Sequence, residues 1–353
     1  MTIEFRNVHA SYDADTPILR GIDFTVRDGE FVAFVGTNGA GKSTTMRLVN
    51  GLLKPEIGEV LIDGVPTTQL KTSELAQRVG FLFQNPDSQI CCGTVREELA
   101  FGLEALKVDP AEANRRVEAA IAEFGFRPDD DPFLLNRGTR QLLALASIVV
   151  LDTPVIVLDE PTTGLDFREC VKVMNIIRRL HARGTTVVMV CHDMEIVADF
   201  AERVIVMSGG RIVDQGPTFE VLRNRRTLKA ADLVPPQIVD IALSFSLTHP
   251  ELARTPLGNA NTLNELEAAV AGALGMPERA SAVPTYAPRA PGAEDANGIR
   301  KFADPAARIR AYATAHAIAR AAEAGQESPA PMPQSGTLEP GTDVPLFEKG
   351  GIR

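Results

Sequence analysis

A chain of 353 residues exceeds one average domain and can bury a sizeable core, and its 44% hydrophobic content is ordinary for a globular protein. A net charge of −10 and a pI of about 5.2 argue against a general nucleic-acid binder, which would carry a basic footprint. No apolar run approaches the ~18–20 residues needed to span a bilayer, so a role at a membrane requires a partner that supplies the spanning helices.

In chain order, residues 1 to about 224 read as one α/β unit. MTIEFRNVHASYD lacks the basic, apolar and small-residue succession of a signal peptide, and none is expected. IEFRNV, IDFTV, FVAFVG, EVLIDG and VGFLFQ have strand length and pattern. Adjacent Cys91 and Cys92 have no second pair to complete a zinc pattern. With Cys170 and Cys191 they read as free thiols of a reducing compartment. Residues 94–125 read as helical, with Asp109-Pro110 starting a second helix and Gly125 near its stop. VIVLDE, TTVVMVCH and RVIVMS are apolar enough for buried parallel strands, and a helix ending at Gly184 lies between the first two. Strand, helix, strand in that order predicts a parallel sheet with crossovers.

Past Arg225, a short helix is expected after Pro235-Pro236. Another is expected from Thr262 to Leu274, opened by the capping pattern Thr262-x-x-Glu265. Residues 225–276 read as a helical extension. Residues 277–353 are rich in Ala and Pro and read as largely disordered, with one helix over 305–324.

Two motifs carry chemistry. GTNGAGKST follows the strand FVAFV and matches G-x-x-x-x-G-K-[ST]. Backbone N–H groups of Gly36, Thr37, Asn38, Gly39, Ala40, Gly41, Lys42, Ser43 and Thr44 would cradle phosphates at a helix N-terminus. Lys42 would reach the β- and γ-phosphates, and the Ser43 hydroxyl would ligate Mg²⁺. VIVLDE ends in Asp159 and Glu160, at the strand edge where open α/β sheets bind ligands. Asp159 suits Mg²⁺, and Glu160, facing the other way, suits a general base for water.

With these motifs in this order, residues 1 to about 224 resemble the ATPase subunit of an ABC transporter. The resemblance implies a P-loop NTPase of the ABC type, with a parallel core sheet, an antiparallel β subdomain and a helical subdomain at about 87–150. It implies ATP and Mg²⁺ as ligands. It assigns Tyr12 to adenine stacking, Gln84 to Mg²⁺ sensing, Asp166 to the loop crossing a dimer interface, and His192, 32 residues after Glu160, to the γ-phosphate. LLNRGTRQ aligns with the family signature Leu-Ser-Gly-Gly-Gln and departs from it. Asn136 replaces the serine, Arg137 replaces the first glycine, and Gly138 remains. A working phosphate contact and a slow, degenerate one are both open on these residues. Either requires a second ATPase chain, the same or different, because one phosphate loop cannot close on its own signature.

QNPDSQI, from Gln84 to Ile90, and TVREELAFGLE resemble the ATPases of energy-coupling-factor importers of vitamins or of cobalt and nickel. That implies a transmembrane coupling protein, a separate membrane substrate-binding protein, and a place on the cytoplasmic face of the cell membrane. Gln89 is expected beside the groove where the coupling helix docks. Another ABC transporter class and a soluble ABC ATPase are the alternatives.

Overall fold

The computed structural model describes residues 1–12 and 16–273. The chain opens with three strands, β1 (Ile3–Ser11), β2 (Pro17–Val26) and β3 (Phe31–Gly36), then helix α1 (Lys42–Val49). Next come β4 (Ile57–Ile62), β5 (Val65–Pro66), α2 (Thr72–Ala76) and β6 (Val79–Leu82). Three helices follow, α3 (Val95–Ala105), α4 (Pro110–Phe124) and α5 (Arg137–Val149). The chain then alternates β7 (Val155–Asp159), α6 (Phe167–Ala182), β8 (Thr186–Val190), α7 (Met194–Phe200), β9 (Arg203–Ser208) and β10 (Arg211–Pro217). It continues through α8 (Thr218–Leu222), α9 (Arg225–Ala230), α10 (Gln237–Thr248), α11 (Pro256–Asn259) and α12 (Leu263–Ala273).

The strands form two sheets. One is antiparallel, in the order β2-β1-β4-β5. The other has six strands in the order β10-β9-β3-β8-β7-β6, parallel except for β10. Every residue of β3, β7 and β8 is buried, because helices cover one face of this sheet and the antiparallel sheet covers the other. The helix side is packed by Leu145 and Ile148 of α5 and Val173 and Ile177 of α6. On the opposite face, Phe5 stacks on Phe24, and Phe24 meets Phe34 edge-on with centroids 5.1 Å apart.

Helices α3, α4 and α5 share a third core, built on Val95, Leu99, Leu103, Val117 and Leu143. Their ends are set locally. Thr94 caps α3 in a reciprocal pair with Glu97, and Asp109 caps α4 through the N–H groups of Ala111 and Glu112. Gly125 stops α4 at φ 74°, a left-handed turn that glycine adopts without strain. A small fourth core joins α10, α11 and α12 around Ala242, Leu257 and Leu266. The Thr262 hydroxyl accepts from the Glu265 N–H as the capping pattern predicts, while the Glu265 carboxylate accepts from Asn261, one residue before the cap.

β10 had no counterpart in the sequence reading. It pairs with β9 across Gly209-Gly210, both at positive φ, which is the backbone of a two-residue hairpin. The helix expected over 305–324, Leu274 and the whole of 277–353 lie outside the described residues. Among the described residues no helix is long and apolar enough to cross a membrane.

Candidate functional site

The strand order places the site. β3, β8, β7 and β6 are parallel neighbours, so their C-terminal ends share one edge of the sheet. Gly36 ends β3, His192 follows β8, Asp159 ends β7 with Glu160 just after it, and Gln84 follows β6. Residues spread over 157 positions thus lie side by side, at a strand spacing of about 4.8 Å.

The phosphate loop runs from Gly36 to Thr44. Gly36 has φ 137°, and a Cβ there would stand 1.9 Å from the Met207 carbonyl oxygen of β9. Gly41 caps α1 in the left-handed region at φ 96°. Thr37, Asn38 and Gly39 line the open side, while Ala40 and Thr44 are buried. Lys42 is 6% exposed, and its Nζ donates to the carbonyls of Gly36 (2.8 Å) and Thr37 (2.9 Å). Burial lowers its pKa, and the negative charges of Glu160 and Asp159 act against that shift. A phosphate oxygen is a stronger, charged acceptor for the same ammonium.

The Ser43 hydroxyl donates to Asp159 Oδ1 at 3.0 Å. Burial pushes the Asp159 carboxyl above its usual range, against the Ser43 bond and helped by the neighbouring Glu160 charge. A hydroxyl and a carboxylate in contact at the foot of a phosphate loop form a hard-oxygen donor set, and they fit Mg²⁺.

Glu160 is the hub. Its Oε2 accepts from Gln84 Nε2 (2.8 Å) and from the Thr163 hydroxyl (2.9 Å), and its Oε1 lies 2.8 Å from His192 Nε2. Its backbone sits at φ 52°, outside the strand geometry of β7, with its N–H bonded to the Val190 carbonyl of β8. Glu160 thus lies past the end of the strand, and its carboxylate and that of Asp159 bond to different partners. Thr163 was missed as a site residue because nothing in EPTTG shows that the turn folds its hydroxyl back three positions.

The signature residues open α5. Asn136 is the cap, its Oδ1 accepting from the Thr139 N–H at 2.8 Å, which leaves its NH₂ group as the donor for a ligand. Arg137 is exposed and lies over the turn after Glu160, with Nη2 3.5 Å from the Thr163 carbonyl and the guanidinium beside Gly164. Gly138 packs against Glu169, whose carboxylate would have to move to admit a Cβ there. Glu169 is held in turn by a reciprocal cap with Asp166, whose carboxylate is engaged in capping α6. Asn136, Arg137, Gly138 and Asp166 thus have their contacts away from the phosphate loop. Tyr12 is 51% exposed beside the phosphate-loop helix; its hydroxyl accepts from Arg47 of α1 at 2.9 Å, and the same guanidinium lies over one side of the ring, 5.8 Å from its centroid.

Gln89 lies between the end of β6 and α5. Its Nε2 donates to the Ala144 carbonyl (2.8 Å) and the Ser147 hydroxyl (3.1 Å) of α5, and its Oε1 accepts from the Phe83 N–H (3.2 Å). It thus ties α5 to the end of β6. Arg140, on α5, pairs with Asp87 at 3.2 Å across the same junction. The segment after Gln84 is therefore coupled to the signature helix within the chain.

A family model described as ABC transporter matches residues 19–163. The energy-coupling factor transporter ATP-binding protein of Methanothermobacter thermautotrophicus is 40% identical over 243 residues, 68% of this chain and 78% of that protein. A putative ABC transporter ATP-binding protein of Methanosarcina mazei is 43% identical over 229 residues, 64% of this chain and 39% of that protein. This chain thus aligns with about two fifths of the length of that relative and of a similar one from Caldanaerobacter subterraneus. Among solved structures, cbiO1 of Clostridium perfringens, part of the ABC transporter complex cbiONQ, is 29% identical at a TM-score of 0.58, covering 71% of this chain and 96% of that one. The cassette MJ0796, in a dimeric post-hydrolysis state with ADP and phosphate, is also 29% identical, at a TM-score of 0.56, covering 61% of this chain and 98% of that one. With the phosphate loop, the Ser43–Asp159 pair and the Glu160 hub on one sheet edge, this chain belongs to the ATP-binding proteins of ABC transporters, the family that includes the energy-coupling factor ATPases.

Proposed function

We propose that this chain is the ATP-hydrolysing subunit of an energy-coupling-factor importer of a vitamin or a transition metal. The observation that carries hydrolysis is the Glu160 carboxylate, held through both oxygens by Gln84, Thr163 and His192 beside a buried Lys42. Glu160 takes a proton from the attacking water. Lys42 and His192 stabilise charge on the γ-phosphate. Ser43 and Asp159 would hold Mg²⁺, which when bound neutralises charge on the phosphate oxygens. Tyr12 offers its exposed face to the adenine.

The chain works as one of two ATPases. The N-terminus of α5 with Asn136, Arg137 and Gly138, together with the loop at Asp166, meets ATP held by the second ATPase chain, identical or different. The pair sits on the cytoplasmic face of the cell membrane against a transmembrane coupling protein, with a separate membrane protein holding the cargo. Loss of the Gln84–Glu160 bond would be relayed to α5 through the Gln89 and Arg140 contacts. The likeness to energy-coupling factor relatives at about 40% identity supports the importer class.

Tagging the chain, extracting it from its native membrane in mild detergent and identifying what co-purifies tests this reading. A coupling protein with a small substrate-binding membrane protein is the expected result. Recovery with no membrane-embedded protein would overturn it.

Arg137 carries its own prediction. Its charge suits a phosphate, and the turn at Thr163 is a weak, displaceable resting place at 3.5 Å. Arg137→Ala should lower kcat about 10²-fold, the scale of one lost donor to a developing charge, while the chain's own affinity for ATP stays unchanged. A turnover that is unchanged or rises in single-turnover assays would make the arginine an obstruction and the signature degenerate.

A further inference from the structure

Outside the nucleotide site, the fold assembles among the described residues a cluster that the sequence does not announce. Cys91 and Cys92 have their sulfurs 3.9 Å apart, and the carboxylate of Glu98 joins them, all three ligand atoms lying within 4.8 Å of one another. Glu98 comes from the first turn of α3 and is 4% exposed. Its Oε2 accepts from the backbone N–H of Cys91 (2.9 Å) and of Cys92 (3.0 Å), so the carboxylate is fixed against the two cysteines before any ligand arrives.

We propose that Cys91, Cys92 and Glu98 form a binding site for a thiophilic divalent cation of the zinc class. Two thiolates on one tetrahedral ion, at a metal–sulfur distance of about 2.3 Å, stand about 3.8 Å apart, close to the observed spacing. A disulfide would need about 2.05 Å. The donor set is too soft for Mg²⁺ or Ca²⁺, and two sulfurs with one oxygen suit Zn²⁺ or Cd²⁺. Cys91 is exposed and Cys92 half-buried, so an ion can enter from solvent and keep a fourth position for water or an incoming ligand. The ligands bridge the end of the segment that starts at Gln84 and the first turn of α3, and a bound ion would brace that junction. The site rests on none of the nucleotide chemistry.

The test uses the full chain, reduced and free of nucleotide, titrated with Cd²⁺ alone while the ultraviolet sulfur-to-cadmium charge-transfer band is followed. One Cd²⁺ per chain should bind saturably and be displaced by Zn²⁺. The band should vanish in the variant carrying Cys91→Ser and Cys92→Ser and persist in Cys170→Ser. Glu98→Gln keeps an oxygen for the two backbone N–H bonds, so the fold is retained, yet it removes the anionic ligand. Its affinity should fall at least about 10-fold. Absence of saturable binding in the native chain, a band that survives loss of both cysteines, or an unaltered affinity in Glu98→Gln would each overturn the site.

Discussion

Glu160→Gln is expected to cut ATP turnover by about 10²–10⁴-fold while ATP binding persists, the range a positioned general base contributes. The substitution isolates chemistry from structure. Glutamine keeps one oxygen, which can still accept from Gln84 Nε2 and the Thr163 hydroxyl, and it presents an NH₂ group toward His192 where Oε1 stood. Glutamine also meets the same backbone requirement as glutamate at φ 52°, so the strain of that turn cancels in the comparison. Lys42 and the Ser43–Asp159 pair keep their hydrogen bonds, and nucleotide affinity should stay near the native value. Turnover measured with equilibrium ATP binding on the same preparation checks this. Hydrolysis within about tenfold of the native rate would remove Glu160 from its role as base.

Gly36→Ala should be the most damaging single methyl in the phosphate loop. At φ 137° an L-residue is strained by about 1–3 kcal/mol. The added Cβ would also stand 1.9 Å from the Met207 carbonyl oxygen, a backbone atom of the neighbouring strand that no side-chain rotation can move. Overpacking of that kind costs a further ~1–3 kcal/mol. A fall in melting temperature of roughly 10 °C and loss of ATP binding are expected together, because β3 and β9 must part where the loop begins. Gly39→Ala is the matched control. Gly39 also has a positive φ, 75°, but a Cβ there meets nothing within 4 Å, so it carries strain without collision. Equal melting temperatures for the two variants would show that the β3–β9 contact does not set the cost.

Much of the site was legible because it is written in short-range patterns. A phosphate loop is nine consecutive residues between a strand and a helix, and its glycines answer to local backbone geometry. The caps at Thr94 and Asp109 and the stop at Gly125 are likewise satisfied within a few residues. The Gly209-Gly210 hairpin was equally local, and the alternation in RIVDQG after it was a readable strand signal that the sequence reading passed over. Family resemblance added Gln84, His192 and the signature positions, which no local pattern assigns.

The phosphate-loop pattern of residues 36–44, the acidic pair at 159–160 and the α/β alternation that carries them can be read from the chain as written. Folding settles which side chains meet. Gln84, Thr163 and His192 converge on one carboxylate because β6, β7 and β8 pair in a particular register. It turned Gln89 inward onto α5, laid Arg137 over Thr163, and brought Glu98 to Cys91 and Cys92. The reason is physical: caps, turns and phosphate loops are closed by hydrogen bonds between near neighbours, whereas strand order and helix packing are set by burial of apolar surface between segments far apart in the chain.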